Sequence, residues 1–300
     1  MTKLREFKDI YELAAQKGKK LYELCQEYEA QNLEISVAQV REKVKTNLDA
    51  MKEAIRNGLT SKEMSMSGLC GDDCAKLLEK YKNDGSRLFS KTYQNVLLYA
   101  LATVEQNLRM GKIVACPTAG SCGIVPAVII AVSETKETDE EAQINALITA
   151  GLVGKIVSNK LALAGAVAGC QSECGVAAAM AAAALVEIYE GDNEQILNAA
   201  ALCLKNVMGL VCDPVAGLVE VPCVKRNAFL AIYAVTGAEL AMAGIKSVIP
   251  IDEIVDAMVQ DGEMMSPKLK ESAEAGLATT KTGLQITEEL TAKWNRNSGE

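Results

Sequence analysis

The chain has 300 residues, 49% of them hydrophobic and 23% charged, the proportions of a globular protein with material for a sizeable core. Lys and Arg number 31 against 39 Asp and Glu, a net charge of −8, which argues against a nucleic-acid surface. Histidine is absent, so no imidazole-based triad and no His metal ligand can come from this chain. Proton transfer must then fall to another group or another chain.

The hydrophobic spacing is helical almost throughout, and the predicted fold class is mainly α, with one helical domain over 1–300. Residues 6–31 read as a helix, as do 37–57, where Ser36 and Gln39 form a capping box. These first 60 or so residues are amphipathic and charged, a peripheral layer. A further helix is predicted over 86–109. Thr138 with Glu141 forms another capping box, opening a helix over 139–153 that stops near Gly154. Asp192 or Asn193 caps a helix running to Met208, with Gly209 as its stop. A long apolar helix follows over 226–243, and Asp252 caps the next, over 253–260. The most apolar stretch, 161–189, is interrupted by Gln171, Ser172 and Glu173 and falls short of the uncharged run that a bilayer span needs. Its alanines predict a helix buried on all sides, not a membrane segment. The opening residues, MTKLREFKDIYELAAQKGKK, carry no apolar signal-type run, so a cytoplasmic and reducing setting is expected.

Ten cysteines stand at 25, 70, 74, 116, 122, 170, 174, 203, 212 and 223. Most free thiols are core residues, so a site has to be argued from local context. Three irregular segments interrupt the apolar region 110–245. The first, Cys116 to Pro126, packs two glycines, two prolines, Thr118 and Ser121 into eleven positions. If a helix begins after Gly123, its N–H groups favour a carboxylate, with Thr118 and Ser121 as further donors. A tight turn between buried helices explains the composition equally well. The second, Gly169-Cys-Gln-Ser-Glu-Cys-Gly175, opens the alanine-rich helix. The helix dipole there favours a thiolate at Cys170, and polar Gln171 and Glu173 in an apolar surround point to a site. The third, Val211 to Asn227, holds Cys212 and Cys223 at proline junctions. Lys225 and Arg226 place positive charge at a helix start, suited to an anionic substrate or a negative metal centre, although a solvated helix end accounts for Lys225 as well. No C-x2-C zinc or ferredoxin run occurs. Three thiolates from separate loops would leave one metal position open, as Lewis-acid catalysis requires.

Together these segments resemble the alpha chain of the iron–sulfur-dependent L-serine dehydratases (L-serine ammonia-lyases). The resemblance rests on PTAGSCGIVPA (117–127), GCQSECG (169–175) with the alanine-rich run after it, and MGLVCDPVAGLVEVPCVKRNA (208–228). It extends through LAMAGIKSVIPIDEIVDAM (240–258) to GLATTKTG (276–283), making 110–283 the site-bearing core. It implies a helical catalytic domain and a [4Fe–4S] cluster on Cys170, Cys212 and Cys223, without pyridoxal phosphate. The reaction implied is dehydration and deamination of L-serine to pyruvate and ammonia. The substrate would be held by Thr118, Gly120, Ser121, Arg226 and Asn227. Ser121 and Lys155 are the candidate catalytic groups. A separate beta chain is the implied partner, and it must supply an imidazole if the base is one. The match departs at Val167 and Ala168, where an acidic residue and glycine are usual, and at Cys70 and Cys74, where small residues are. Elimination from L-cysteine or L-threonine, a helical protein with core or zinc-binding cysteines, and a scaffold for an active partner are the competing readings.

Overall fold

The computed structural model describes residues 4–86 and 88–298. Among these the chain is helical and forms no strand; one isolated bridge pairs Cys212 with Lys270. The mainly α expectation therefore holds. The described residues form thirteen α-helices: α1 (Phe7–Lys17), α2 (Leu21–Asn32), α3 (Val37–Thr60), α4 (Asp73–Asp84), α5 (Lys91–Leu108), α6 (Ile124–Lys136), α7 (Glu140–Ser158), α8 (Gly165–Ala168), α9 (Val176–Ile188), α10 (Asn193–Lys205), α11 (Cys223–Met242), α12 (Ile251–Met264) and α13 (Lys281–Ser298).

Helix α9 is the hub. Every residue from Val176 to Ile188 is buried, and α6, α7, α10 and α11 pack around it. Its alanines project little, so four neighbours approach closely; this is the all-round burial the composition predicted. The stretch Gln171–Ile188 is long and apolar enough to cross a membrane, but it lies wholly inside the fold. Helix α5 forms a second layer against α3, α6 and α11, and α1–α3 lie outside α7 and α10.

Several predicted boundaries need correction. The helix expected over 6–31 is two helices, because Gly18 takes a left-handed φ of 61° and its N–H closes back on Ala14 and Ala15. The capping box on Ser36 is present as read, with the Ser36 side chain accepting from Gln39 N. Thr138 is not the cap of α7; Asp139 is, accepting from Ala142 N at 2.8 Å. Nor does Gly154 stop that helix. A Cβ there would stand 3.0 Å from Met180 Sδ of α9, so the glycine serves close helix packing. Helix α10, capped by Asp192, ends at Lys205, short of Met208. The turn to Gly209 then sends the chain toward the site. Helix α11 starts at Cys223, placing that thiol in its first turn. Asp252 does not cap its own helix. Its carboxylate accepts from Phe7 N at 2.9 Å and Lys8 N at 3.0 Å, capping α1 across the fold.

Candidate metal and substrate site

The three irregular segments meet at the N-terminal end of α9. Gly169 has φ +75°, and a Cβ on it would fall 2.7 Å from Leu210 O and 2.8 Å from Met265 Sδ. Only glycine lets the chain turn there and drop Cys170 into the interior. Gln171 N then donates to Leu210 O at 3.0 Å. The next five residues, Gln171–Gly175, form a π-helical turn, a local widening common at functional sites. Cys212 is fixed from the other side: its N–H donates to Leu269 O at 2.8 Å and its carbonyl accepts from Glu271 N at 2.7 Å. Cys170, Cys212 and Cys223 are 0%, 2% and 4% exposed, so all three thiols are withdrawn from bulk water.

The Cys170 and Cys212 sulfurs and a Glu173 carboxylate oxygen all lie within 4.8 Å of one another. Cys223 is not part of that compact group. The Arg226 guanidinium donates to the Cys170 sulfur at 3.0 Å and to Val211 O at 3.0 Å, and stands 3.5 Å from the buried Asp213 carboxylate. The thiols divide one negative charge unequally. Cys170 is pushed down to about 3, because the Cys174 and Cys212 thiols point at it and the Arg226 guanidinium lies beside it, effects that outweigh burial. Cys174 and Cys212 go up in consequence, each facing the Cys170 thiolate. Burial pushes Cys223 up to about 12.

Glu173 joins the thiols to the glycine-rich loop. The Thr118 hydroxyl donates to Glu173 Oε1, and Ser121 Oγ lies 3.1 Å from Thr118 Oγ1. Burial raises the Glu173 carboxyl to about 7, with the Cys170 charge adding to the effect and the Thr118 hydroxyl opposing it. A Cβ on Gly120 would stand 2.6 Å from Glu173 Oε1, so glycine is required for this approach. Helix α6 does begin directly after Gly123, but the Gly123 and Ile124 N–H groups are taken by Asn227 Oδ1 and Ser121 O, and Pro126 has none. Asn227 is fully buried. It donates to Gly120 O at 2.8 Å and to Cys223 O at 3.0 Å, and accepts from Gly123 N at 3.0 Å. Its side chain thus ties the loop to α11.

Of the residues singled out from sequence, Cys170, Cys212, Thr118, Gly120, Ser121, Arg226 and Asn227 come together here, with Cys223 at the edge of the group. Lys155 is elsewhere: its amine pairs with Glu29 and lies 5.1 Å from the Tyr28 ring centroid, beside a cavity of about 530 Å³ between α2, α3 and α7. Lys225 turns away to Asp73 at 2.6 Å and Cys70 at 3.5 Å. Gln171, read as a site residue, is a staple, accepting from Gly209 N at 2.9 Å and donating to Met258 O at 3.2 Å. Cys116 and Cys122 are buried beside the loop, and burial pushes both thiols up. Sequence reasoning named Glu173 as costly but gave it no role, and it missed Asp213. A carboxylate inside an apolar run, and one between Cys212 and Pro214, were the available signals.

The residues present fit a thiolate-held metal cluster. Buried sulfurs stand on two of the segments, Cys170 on one and Cys212 and Cys223 on the other, a guanidinium donates to one of them, and Asp213 Oδ1 is buried without a hydrogen bond. Gly165 leaves open a position where a Cβ would sit 2.9 Å from Cys212 Sγ and 3.1 Å from Glu173 Oε2. Fold and site thus define a helical protein with a buried group of two thiols and a carboxylate that could hold a metal ion.

The serine dehydratase alpha chain family profile matches residues 16–278. The chain belongs to that family. It is 42% identical over 286 residues to the "Probable L-serine dehydratase, alpha chain" of Bacillus subtilis (strain 168), covering 95% of each chain. To the "L-serine dehydratase, alpha chain" of Peptoniphilus asaccharolyticus it is 40% identical over 283 residues, 94% of this chain and 97% of that one. The "L-serine dehydratase" of Streptomyces coelicolor is 36% identical over 236 residues, which are 76% of this chain but 50% of the longer protein.

Proposed function

We propose that this chain is the catalytic alpha subunit of an L-serine ammonia-lyase, converting L-serine to pyruvate and ammonia. Cys170, Cys212 and Cys223 would hold a [4Fe–4S] cluster, without pyridoxal phosphate. The observation that carries the reading is the convergence of buried Cys170, Cys212 and Arg226 with the Thr118–Ser121 loop at one helix end. When bound, the cluster supplies Lewis-acid chemistry that weakens the carbon–oxygen bond of the substrate hydroxyl.

The chain's own residues do the rest. The glycine-rich loop, through Thr118, Gly120 and Ser121, orients the substrate carboxylate. Arg226 offsets the negative charge of the thiolates and hydrogen-bonds a sulfur, a contact that tunes such centres. Asn227 holds the loop in register with the first turn of α11. The apolar helices around the site exclude water, which strengthens each of these interactions. A second chain, the beta chain that the names of its relatives imply, would complete the enzyme. The Streptomyces protein, twice the length of the matched part, would carry both portions in one chain. A reducing cytoplasmic setting keeps the ten free thiols available.

Anaerobic co-expression with a beta chain tests the reading. The complex should contain iron and sulfide and release pyruvate from L-serine, and Cys212→Ser should lose both properties. Full turnover by an iron-free complex would refute the cluster assignment. Turnover of L-cysteine or L-threonine without L-serine would refute the substrate.

A further inference from the structure

We propose that Glu173 is a ligand of the centre in its resting state, occupying the iron that the three cysteines leave open and giving way when substrate arrives. The inference rests on the cluster reading above.

The compact donor group in the structure is two thiols and a carboxylate, Cys170, Glu173 and Cys212. Three buried donor atoms gathered within 4.8 Å of one another are spaced as ligands of one metal centre are. Arg226 donates to Cys170 and Val211 and leans toward Asp213, and it makes no hydrogen bond to Glu173, on which it acts through its charge alone. A metal bound to the carboxylate would join it to the two thiols.

The two carboxylate oxygens are differently disposed. Oε1 accepts from the Thr118 hydroxyl and lies against Gly120. Oε2 faces Gly165, where the absent Cβ leaves a space shared with the Cys212 sulfur. One oxygen is therefore anchored to the loop proposed to receive substrate, while the other points at the thiols. The backbone enforces this direction, because the π turn over Gln171–Gly175 brings Glu173 round to the Cys170 side. Donor chemistry explains why a carboxylate suits this position. Thiolates are soft ligands that hold iron–sulfur centres, whereas a carboxylate is a harder and more exchangeable donor. A coordination position that must open for each substrate is better closed by the latter. Because Thr118 bonds the same carboxylate, arrival of substrate at the loop and release of Glu173 would be one linked event.

Mössbauer spectra of anaerobically reconstituted, 57Fe-loaded complex test this, with wild type, Glu173→Gln and Glu173→Ala compared at rest and with L-serine. In wild type one iron of the four should differ from the three cysteine-bound irons, and L-serine should move that iron alone. In both variants the resting signal of that iron should shift or be lost, leaving three irons per chain, while circular dichroism stays unchanged. Superimposable resting spectra for wild type and Glu173→Gln would overturn the proposal, whatever iron Glu173→Ala retains. Absence of any cluster from wild type would instead overturn the underlying functional reading.

Discussion

Replacing Arg226 by methionine keeps the length of the side chain and removes its charge. Two hydrogen bonds at 3.0 Å vanish, one to the Cys170 sulfur and one to Val211 O, and Asp213 loses the cation 3.5 Å away. The Arg226 and Asp213 side chains are only 15% and 7% exposed, so solvent screening relieves little of the loss. Removing one partner of such a buried pair costs about 3–5 kcal/mol, because the remaining charge stays buried. In a chain of 300 residues that corresponds to a fall in Tm of about 5–8 °C. The assay is calorimetry on the metal-free chain, with Arg226→Met, Asp213→Asn and the double variant completing a cycle. Asp213→Asn in the methionine background should restore a substantial part of the loss, since Asp213 Oδ2 retains its bond from Leu277 N at 2.8 Å while its charge is gone. A loss below about 1 kcal/mol for Arg226→Met, within the range of exposed ion pairs, would refute the reasoning. So would a double variant no more stable than Arg226→Met alone.

Gly120→Ala would push a Cβ to 2.6 Å from Glu173 Oε1 and 3.1 Å from Val219 Cγ1; kcat/KM should fall on the order of 10²-fold with circular dichroism unchanged, as misplacement of a site predicts. Asp252→Ala should cost about 1 kcal/mol by uncapping α1, and hydrogen exchange should quicken first at Phe7 and Lys8. Glu187, buried at the end of α9, has its carboxyl raised by burial, which outweighs the attraction of Lys20 and the Thr149 hydroxyl bond. Its contribution to stability is full below the ordinary carboxylate range and is lost as pH rises through the raised value, so Glu187→Gln should gain Tm relative to wild type at about pH 8 but not at about pH 5. The metal-free chain should show the same far-UV circular dichroism as the loaded one, because the α9 core closes without the site; an unfolded metal-free chain would contradict this.

The helical class, the buried alanine-rich helix and the Ser36 capping box were legible in the sequence because each is a local pattern. The misplaced boundaries had non-local causes. Gly154 reads as a stop, and only the Met180 side chain of a neighbouring helix shows it to be a contact point. Asp252 reads as a cap, and it is one, but for a helix 245 positions earlier in the chain. At the site, the residue types were legible and their divisions of labour were not. Arg226 and Lys225 are adjacent in sequence, yet one faces the thiols and the other turns to Asp73, because helical periodicity separates neighbours by about 100°. Glu173 was visible as an anomaly, and its partner Thr118, 55 positions away, was not.

The way Cys170 and Cys212 are held bears on why one sits at a helix start and the other in a loop. Inside a regular helix, a side chain's direction is set by its own backbone, and three helices would have to be aligned to aim three sulfurs at one point. Here the aiming is done by backbone hydrogen bonds between segments. Gln171 N donates to Leu210 O beside Cys170, and Cys212 is clamped between Leu269 and Glu271. Each bond joins a sulfur-bearing segment to a different part of the chain, and the joined segments also carry Arg226, Asn227 and the Thr118 loop. Irregular backbone is what leaves such N–H and C=O groups free to pair at long range. The helix start at Cys170 and the loop at Cys212 are thus the means by which the positions of the two sulfurs are fixed, and the π-helical turn after Cys170 is what turns Glu173 to face them.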